Sequence, residues 1–288
     1  MMAAAASKSE GVGLRRAYAA GAGRAAVLLS VGVFALVPVY YGVISAFKTT
    51  AEIDAGTVLF PSVFTLSNFK SVFSQSALFL ALRNSLVVAT AATLMSIAVS
   101  APAALALARM RFRGRRVMWA SVMVGQLFPL TAILVPLFSF WETVHLYNSD
   151  LALVFTYMAF GVPIAVWLLS AYFQTIPREI EEQAMVDGYG QFGALARVVL
   201  PLSLPGIGAA AVYVFLQAWG EYVFALTLTA SNGTRTLPVF LAGLEGQHTT
   251  AFGPLLAVAV VMMVPPFVLF FGAQRLFVSG LTTGAVRG

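Results

Sequence analysis

A single acidic residue, Glu221, lies inside a long apolar stretch of this 288-residue chain. A carboxylate in such a setting is costly unless it is paired or hydrated, so it indicates function by default. Tyr213 and Gln217 precede it at intervals of four residues, which would place all three side chains on one face of a helix. Their hydroxyl, amide and carboxylate groups suit hydrogen bonding to a polar solute. We predict that Tyr213, Gln217 and Glu221 line a substrate pathway; the alternative, that Glu221 bonds a neighbouring helix, stays open.

Other polar and aromatic residues of the apolar stretches are weaker candidates. Trp219 is about 200° around the helix from Glu221, so the two cannot face one pore centre, and packing is its expected role. Single polar groups in membrane helices are more often satisfied locally than used to bind a ligand. We therefore expect only local bonding, packing or interfacial anchoring from Asn84, Gln126, Thr131, Trp141, Tyr147 and Tyr157.

Covalent chemistry and bound cofactors are not expected in this chain, so it is not predicted to be an enzyme. It has no cysteine, and its two histidines, His145 and His248, fall in short connecting segments, so a metal site is not expected. No nucleophile stands with a base. Glycines 188, 190 and 193 spell G-x-G-x-x-G, but no strand precedes them and no acid follows at the required distance, so we reject a dinucleotide site. The phosphate-binding pattern G-x-x-x-x-G-K-[ST] is absent.

A polar segment, residues 176–206, interrupts the second half of the chain with the sequence IPREIEEQAMVDGYGQFGALARVVLPLSLPG. Pro177 suits the first turn of a helix, and acidic residues follow it at the positive end of the helix dipole. Gly188 is placed to end that helix in a left-handed turn. A second short helix, 190–199, would stop before Pro201. The segment predicts a helix–turn–helix that a partner protein binds outside the membrane. The alternative is an ordinary solvated loop.

This segment resembles the cytoplasmic "EAA" loop of permease subunits of ABC-type importers. The matching residues are Glu182, Ala184, Asp187 and Gly188, followed by Leu200, Pro201 and Pro205, with Gln183 where the family usually has a second small residue. The resemblance runs over most of the chain and is closest to the carbohydrate-importer branch, the maltose-permease-like proteins. That branch often has a Trp-Asn-Glu-aromatic run where this chain has Trp219, Gly220, Glu221 and Tyr222.

The resemblance implies both an architecture and partners. It implies a type I ABC importer permease-like bundle that forms half of a translocation pathway with a homologous second permease subunit. Two ATPase subunits would bind ATP and Mg²⁺, and one of them would contact this chain at Glu182, Ala184, Asp187 and Gly188. An extracytoplasmic sugar-binding protein would deliver a di- or oligosaccharide. The C-terminal end, residues 280–288, resembles the family's tail, which can reach between the two ATPases.

Composition places the chain in a lipid bilayer. Sixty per cent of its residues are hydrophobic and 10% are charged, whereas about a quarter are charged in soluble domains. Apolar runs long enough to cross about 30 Å of hydrocarbon predict an all-α, polytopic membrane protein with six transmembrane helices. The predicted spans are residues 25–47, 84–108, 117–141, 151–173, 205–228 and 253–274. The longest outer loop, 48–83, is expected to hold one or two amphipathic turns.

The distribution of lysine and arginine predicts the orientation. Thirteen of these residues fall on the side that carries both chain ends and the 176–206 segment, and 4 fall on the other side. Cytoplasmic loops carry the excess of positive charge. We predict a cytoplasmic N-terminal tail (1–24), a permease domain (25–278) with a cytoplasmic coupling loop (176–204), and a cytoplasmic C-terminal tail (279–288). The apolar run after the first tail is too long for a signal peptide.

Alternative functions remain at this point. The net charge of +6 is confined to loops and leaves no soluble basic face for nucleic acid. A permease of the same type could import another polar solute, such as glycerol 3-phosphate. A secondary transporter would need an inverted repeat or ionisable residues at the midplane, and only Glu221 is ionisable within a predicted span. A receptor or scaffold would leave the 176–206 segment without a purpose. The expected location is a bacterial or archaeal cell membrane.

Overall fold

Helices form all of the regular structure in the described part of this computed structural model. The backbone is described for residues 2–56, 59–127, 129–245 and 251–284, and the side chains for 23–56, 59–127, 129, 131–245 and 251–274. The segment that contains His248 and the last four residues of the predicted C-terminal tail lie outside the described residues.

One compact unit comprises Met1–Ser71 and Ala251–Val260. Its helices are α1 (Met2–Ser45), α2 (Thr50–Ala55) and α3 (Ser67–Phe73). Asn68 closes the segment between α1 and α3, because its side-chain amide donates to the carbonyl oxygens of Ala46 and Lys48, each at 2.9 Å. The short helices α2 and α3 lie within the 48–83 segment, where one or two turns are expected, and α1 extends through the predicted 1–24 tail.

The second unit comprises Val72–Thr250 and Val261–Gly288. Its elements in chain order are α4 (Ser76–Arg109), α5 (Arg115–Val124), α6 (Leu130–Thr143), α7 (Asp150–Thr175), α8 (Arg178–Val186), α9 (Gln191–Ala194), a π-helical turn (Leu195–Val199), α10 (Leu200–Leu202), α11 (Leu204–Trp219), α12 (Val223–Leu228) and α13 (Leu237–Ala242). The last helix, α14 (Phe252–Gly284), contributes residues to both units.

Small residues allow α4 and α7 to pack closely in the centre of this unit. A Cβ added at Gly161 of α7 would lie 2.8 Å from the side-chain oxygen of Ser96 on α4. Two serine hydroxyls bond across the interface: Ser100 to the carbonyl of Val162 at 3.2 Å, and Ser170 to that of Ala104 at 3.3 Å. Close backbone approach and such hydrogen bonds are the usual means of association for helices in lipid, where the hydrophobic effect does not drive it.

Four described helices are long and apolar enough to cross a membrane: Gly23–Ser45, Ser76–Arg109, Asp150–Thr175 and Phe252–Gln274. A fifth candidate is the pair Gln191–Leu202 and Leu204–Trp219, which is bent by 67°. These helices confirm an all-α membrane protein, and they match the predicted first, second, fourth and sixth spans, although the second begins at Ser76 rather than at residue 84. The described single helices give four candidate spans, fewer than the six that the sequence predicts.

The predicted third span, 117–141, is wrong as one continuous helix. Helix α5 ends at Val124, and α6 begins at Leu130. Pro129 stands directly before α6 in an extended conformation, with φ −62° and ψ 124°. A proline has no backbone N–H to continue a helix and restricts the residue before it, so the apolar run is divided into two pieces. At 1.5 Å per residue, neither piece alone covers about 30 Å of hydrocarbon.

Candidate functional site

Helix α8 forms the first half of the predicted coupling loop, as the sequence indicates. Pro177 directly precedes the helix rather than lying inside its first turn, and Glu179 and Glu181 occupy that turn. The helix ends at Val186, Asp187 is its C-cap, and Gly188 then adopts a left-handed conformation with φ 94°. Its N–H donates to the carbonyl of Met185 at 3.2 Å. The predicted glycine turn is confirmed, because only glycine adopts this φ without steric cost.

The four residues expected to contact an ATPase do not all face outward. Glu182, Asp187 and Gly188 are exposed, whereas Ala184 is only 5% exposed. The carbonyl of Ala184 accepts the N–H of Tyr189 at 3.1 Å, which folds the chain back after the helix. Ala184 therefore lies within the packing of the loop, where a larger side chain would not fit without displacement.

Apolar side chains on this loop are exposed, which the sequence reading missed. Val186 is 87% exposed and Phe192 is 73% exposed, and Met185 and Tyr189 are partly exposed beside them. Large apolar side chains that are exposed on a polar segment indicate a site for another protein. Residue type alone gave no signal, since the same segment also contains apolar residues that are buried, such as Leu195 and Val199.

The second half of the loop does not stop before Pro201, so that prediction was wrong. Helix α9 continues into the π-helical turn and through Pro201 to Leu202. The N–H of Leu200 reaches back to the carbonyl of Leu195. The wider turn relieves the clash between a proline ring and the carbonyl four residues earlier, so the helix passes through the proline. The bend comes at Ser203, before α11.

Tyr213, Gln217 and Glu221 line one cleft of about 210 Å³. Helices α7 and α11 form its walls, and Gln126 and Phe224 also line it. The amide of Gln217 donates to the hydroxyl of Tyr213 at 2.8 Å, and both side chains are exposed. The three residues that the sequence pattern grouped therefore lie at one surface in the structure. Gln126, a weaker candidate in the sequence, lies at the same surface.

The helical face that was expected to bring Tyr213, Gln217 and Glu221 together is only partly present. Helix α11 ends at Trp219, and α12 begins at Val223, so Glu221 lies in a break rather than on a continuous helical face. This interruption corrects the predicted fifth span, 205–228. Glu221 accepts hydrogen bonds from the N–H groups of Phe224 at 2.9 Å and Ala225 at 3.1 Å. The carboxylate satisfies amides that a new helix leaves without partners, and the positive end of that helix favours its charge.

Tyr157 of α7 is the partner of Glu221 that sequence reasoning missed. Its hydroxyl donates to Glu221 Oε2 at 2.8 Å, and Tyr157 is only 5% exposed. A buried tyrosine hydroxyl usually has a hydrogen-bond partner, which was the only available signal. The two residues are 64 positions apart, so no local spacing connects them. Glu221 therefore joins α7 to the break while it also lines the cleft.

Asn84 and Trp219 are bonded locally, as expected. The amide of Asn84 donates to the carbonyls of Gly233 at 2.7 Å and Arg235 at 3.1 Å. Trp219 is 3% exposed and donates to the carbonyl of Met262 at 3.0 Å, in agreement with a packing role. Among the residues that the structure describes, no group of three or more His, Asp or Glu side chains is placed to hold a metal ion.

Comparison with known proteins assigns the family. Residues 100–283 match the family described as binding-protein-dependent transport system inner membrane component. The chain belongs to this family. The permease is 36% identical over 265 residues to the sulfoquinovosyl glycerol transport system permease protein SmoH of Agrobacterium fabrum, with 92% of each chain covered. It is 35% identical to the trehalose transport system permease protein SugB of Mycobacterium tuberculosis, with 88% of this chain and 93% of that protein covered.

A solved structure supports the fold of the permease. A chain from a bacterial ABC transporter involved in the import of the acidic polysaccharide alginate superposes with a TM-score of 0.74. The match covers 88% of this chain and 95% of that chain, at 20% sequence identity. At that identity the likeness concerns the fold alone.

Proposed function

We propose that this chain is the permease subunit of an ATP-driven, binding-protein-dependent importer of a sugar. It forms half of the translocation pathway together with a homologous second permease subunit. Two ATPase subunits supply the energy, and an extracytoplasmic sugar-binding protein delivers the solute. The observation that carries the proposal is the exposed helix–turn–helix of the coupling loop in a chain that aligns over 92% of its length with a glycoside permease. Trehalose and trehalose/maltose permeases among its relatives support a sugar as solute.

The coupling loop, 176–204, is the proposed contact with the ATPase. The loop exposes the carboxylates of Glu182 and Asp187 together with the apolar side chains of Val186 and Phe192. An apolar centre with a charged rim is the usual composition of a protein interface. Gly188 fixes the direction of the chain between the two halves, and Ala184 holds α8 against the rest of the loop. ATP and Mg²⁺ are bound by the partner, and this subunit has no catalytic role.

The cleft around Gln217 is the proposed portion of the solute pathway in this subunit. Amide, hydroxyl and carboxylate groups are the side chains that hydrogen-bond sugar hydroxyls. The described residues that line the cleft include Glu221 and no lysine or arginine. A phosphate group would be repelled there by the carboxylate without a compensating cation. The cleft therefore supports a neutral di- or oligosaccharide in preference to glycerol 3-phosphate.

Six spans with cytoplasmic termini remain the proposed topology. The broken pairs α5–α6 and α11–α12 each count as one span in this arrangement, and irregular backbone inside a membrane is tolerated where protein or a cavity surrounds it. The absence of native cysteine makes the topology testable with membrane-impermeant thiol reagents. We predict that Val186→Cys is labelled only from the cytoplasmic side and Asn232→Cys only from outside. Labelling of Val186→Cys from outside intact cells would overturn the orientation and the proposed docking surface.

Reconstitution tests the function directly. The permease is purified with its second permease and ATPase subunits, placed in proteoliposomes, and supplied with the binding protein and candidate solutes. We expect one neutral di- or oligosaccharide to stimulate ATP hydrolysis and to be taken up only when ATP is present. A complex with ATPase subunits that lack the phosphate-binding lysine is the control. Uptake that follows an ion gradient without ATP would contradict the proposal, and stimulation by glycerol 3-phosphate alone would contradict the solute class.

A further inference from the structure

Arg109, the last residue of α4, places a buried guanidinium beside α7 and α8. Its side chain is 4% exposed, and that of Glu181, in the first turn of α8, is 11% exposed. Two charged side chains so far removed from water carry a large desolvation cost that only well-placed partners offset. Neither residue lies on the exposed surface of α8 or in the cleft, so the proposed docking and solute contacts do not account for them.

One nitrogen of the guanidinium holds the end of α7. Arg109 Nη2 donates to the carbonyl oxygens of Phe173 at 2.7 Å and Ile176 at 2.6 Å. Carbonyls in the last turn of a helix have no intrahelical donor, and the negative end of the helix favours a cation. Phe173 and Ile176 share one buried apolar cluster with Leu195 and Val199 of the coupling loop. The guanidinium thus lies where the spans and the loop pack together.

A second nitrogen of the same guanidinium faces α8. Arg109 Nε lies 4.0 Å from Oε2 of Glu181, and this buried N–H has no hydrogen-bond partner in the described structure. Hydrogen bonds between a guanidinium and a carboxylate are about 2.7–2.9 Å long. A movement of α8 towards α4 of about 1 Å would therefore complete this bond. The contact is sensitive to small displacements of α8.

We propose that Arg109 is a positioning residue that transmits movements of α8 to α4 and α7 through Glu181. The inference rests on the proposed function, because it takes α8 as the element that moves with the ATPase. A guanidinium has several donors fixed in one plane, so it can hold carbonyls of α7 and a carboxylate of α8 together. Since α7 also carries Tyr157 and Phe160 of the cleft, displacement of its end reaches the solute pathway.

Glu181→Gln tests the role without disturbing the end of α7, because both bonds from Arg109 to the carbonyls remain. Glu142→Gln is the control, since Glu142 is an exposed carboxylate of α6, outside the coupling loop and the cleft. Both variants are purified with the second permease and the ATPases, and solute uptake and ATP hydrolysis are measured in the same proteoliposomes. We expect Glu181→Gln to retain its ATPase subunits, with a lower melting temperature because buried Arg109 loses its counter-charge, while solute transported per ATP falls about five-fold or more. Glu142→Gln should match the wild type.

Arg109→Lys keeps the positive charge but cannot make the same set of bonds, so it should lower the transport ratio as well. In the Glu181→Gln background it should add little further loss, as expected for two residues that act through one contact. An unchanged ratio in assembled Glu181→Gln would overturn the positioning role and leave the proposed function intact. Loss of the ATPase from Glu181→Gln would also overturn it, since Glu181 would then act in docking. A wild-type complex without ATP-driven uptake would overturn both.

Discussion

Replacement of Glu221 with leucine should destabilise the permease and reduce uptake together. The carboxylate accepts three hydrogen bonds, from Tyr157 at 2.8 Å, Phe224 at 2.9 Å and Ala225 at 3.1 Å. A donor left without a partner costs about 1–3 kcal/mol, and more where the lost partner is charged. Tyr157, Phe224 and Ala225 are each 5% exposed or less, so all three donors would be left buried. At about 1 kcal/mol or more for each donor, the expected loss is at least about 3 kcal/mol.

Glu221→Gln should be milder for a reason visible in the same bonds. The amide oxygen can still accept the N–H of Phe224, and the hydroxyl of Tyr157 can rotate to accept from the new NH₂ group. Only the N–H of Ala225 then faces a donor instead of an acceptor. The expected cost is about 1 kcal/mol, and partial uptake should survive.

Gln217→Leu separates a role in the pathway from a role in stability. Gln217 is exposed and lines the same cleft, and its amide bonds to the exposed hydroxyl of Tyr213. Surface substitutions of this kind change stability by about 0.5 kcal/mol or less. Reduced uptake in Gln217→Leu with an unchanged melting temperature would therefore report contact with the solute.

The assay combines melting temperature, subunit stoichiometry after purification, and uptake in proteoliposomes. We expect the melting temperature to fall in the order wild type, Glu221→Gln, Glu221→Leu, with Gln217→Leu equal to the wild type. Wild-type melting in Glu221→Leu would refute the hydrogen-bond argument. Unchanged uptake by a fully assembled Glu221→Leu complex would remove Glu221 from the transport mechanism, and unchanged uptake by Gln217→Leu would contradict the pathway.

Three further substitutions test the local geometry. Gly188→Val should lower the free energy of unfolding by about 1–2 kcal/mol, because a β-branched residue resists φ 94°. It should also weaken ATPase retention on purification. Gly190→Val is the control, because Gly190 has φ −64° and open space around it. Gly206→Ala should lower the melting temperature, since its Cβ would lie 2.3 Å from the ring of Tyr172, and a wild-type melting curve would contradict that packing. Asn148→Ala should increase the mobility of residues 230–234, because Asn148 Oδ1 accepts the N–H groups of residues 230 and 231. Faster amide exchange in this segment is the measurement. Asn148→Asp should behave as the wild type.

The coupling loop shows how much of a site can be predicted from local sequence. A helix after Pro177, acidic residues in its first turn and a glycine at the left-handed position all depend on residues within one or two turns of each other. The inward position of Ala184 was not predicted, because it depends on what packs above the helix. The continuation of the helix through Pro201 was not predicted either. It depends on a π-helical turn, which is defined by backbone hydrogen bonds and is not indicated by any residue type.

The sequence by itself determined that this chain is an all-α membrane protein, which polar residues interrupt its apolar runs, and where the coupling loop lies. Hydropathy is a sum over neighbouring residues, so length and composition suffice for it. Only the tertiary structure decided that Glu221 caps a new helix and bonds Tyr157, and that Arg109 joins the end of α7 to Glu181. The bonds from Tyr157 to Glu221 and from Arg109 to the end of α7 connect residues more than 60 positions apart, and they depend on atomic distances that arise only after the helices have packed.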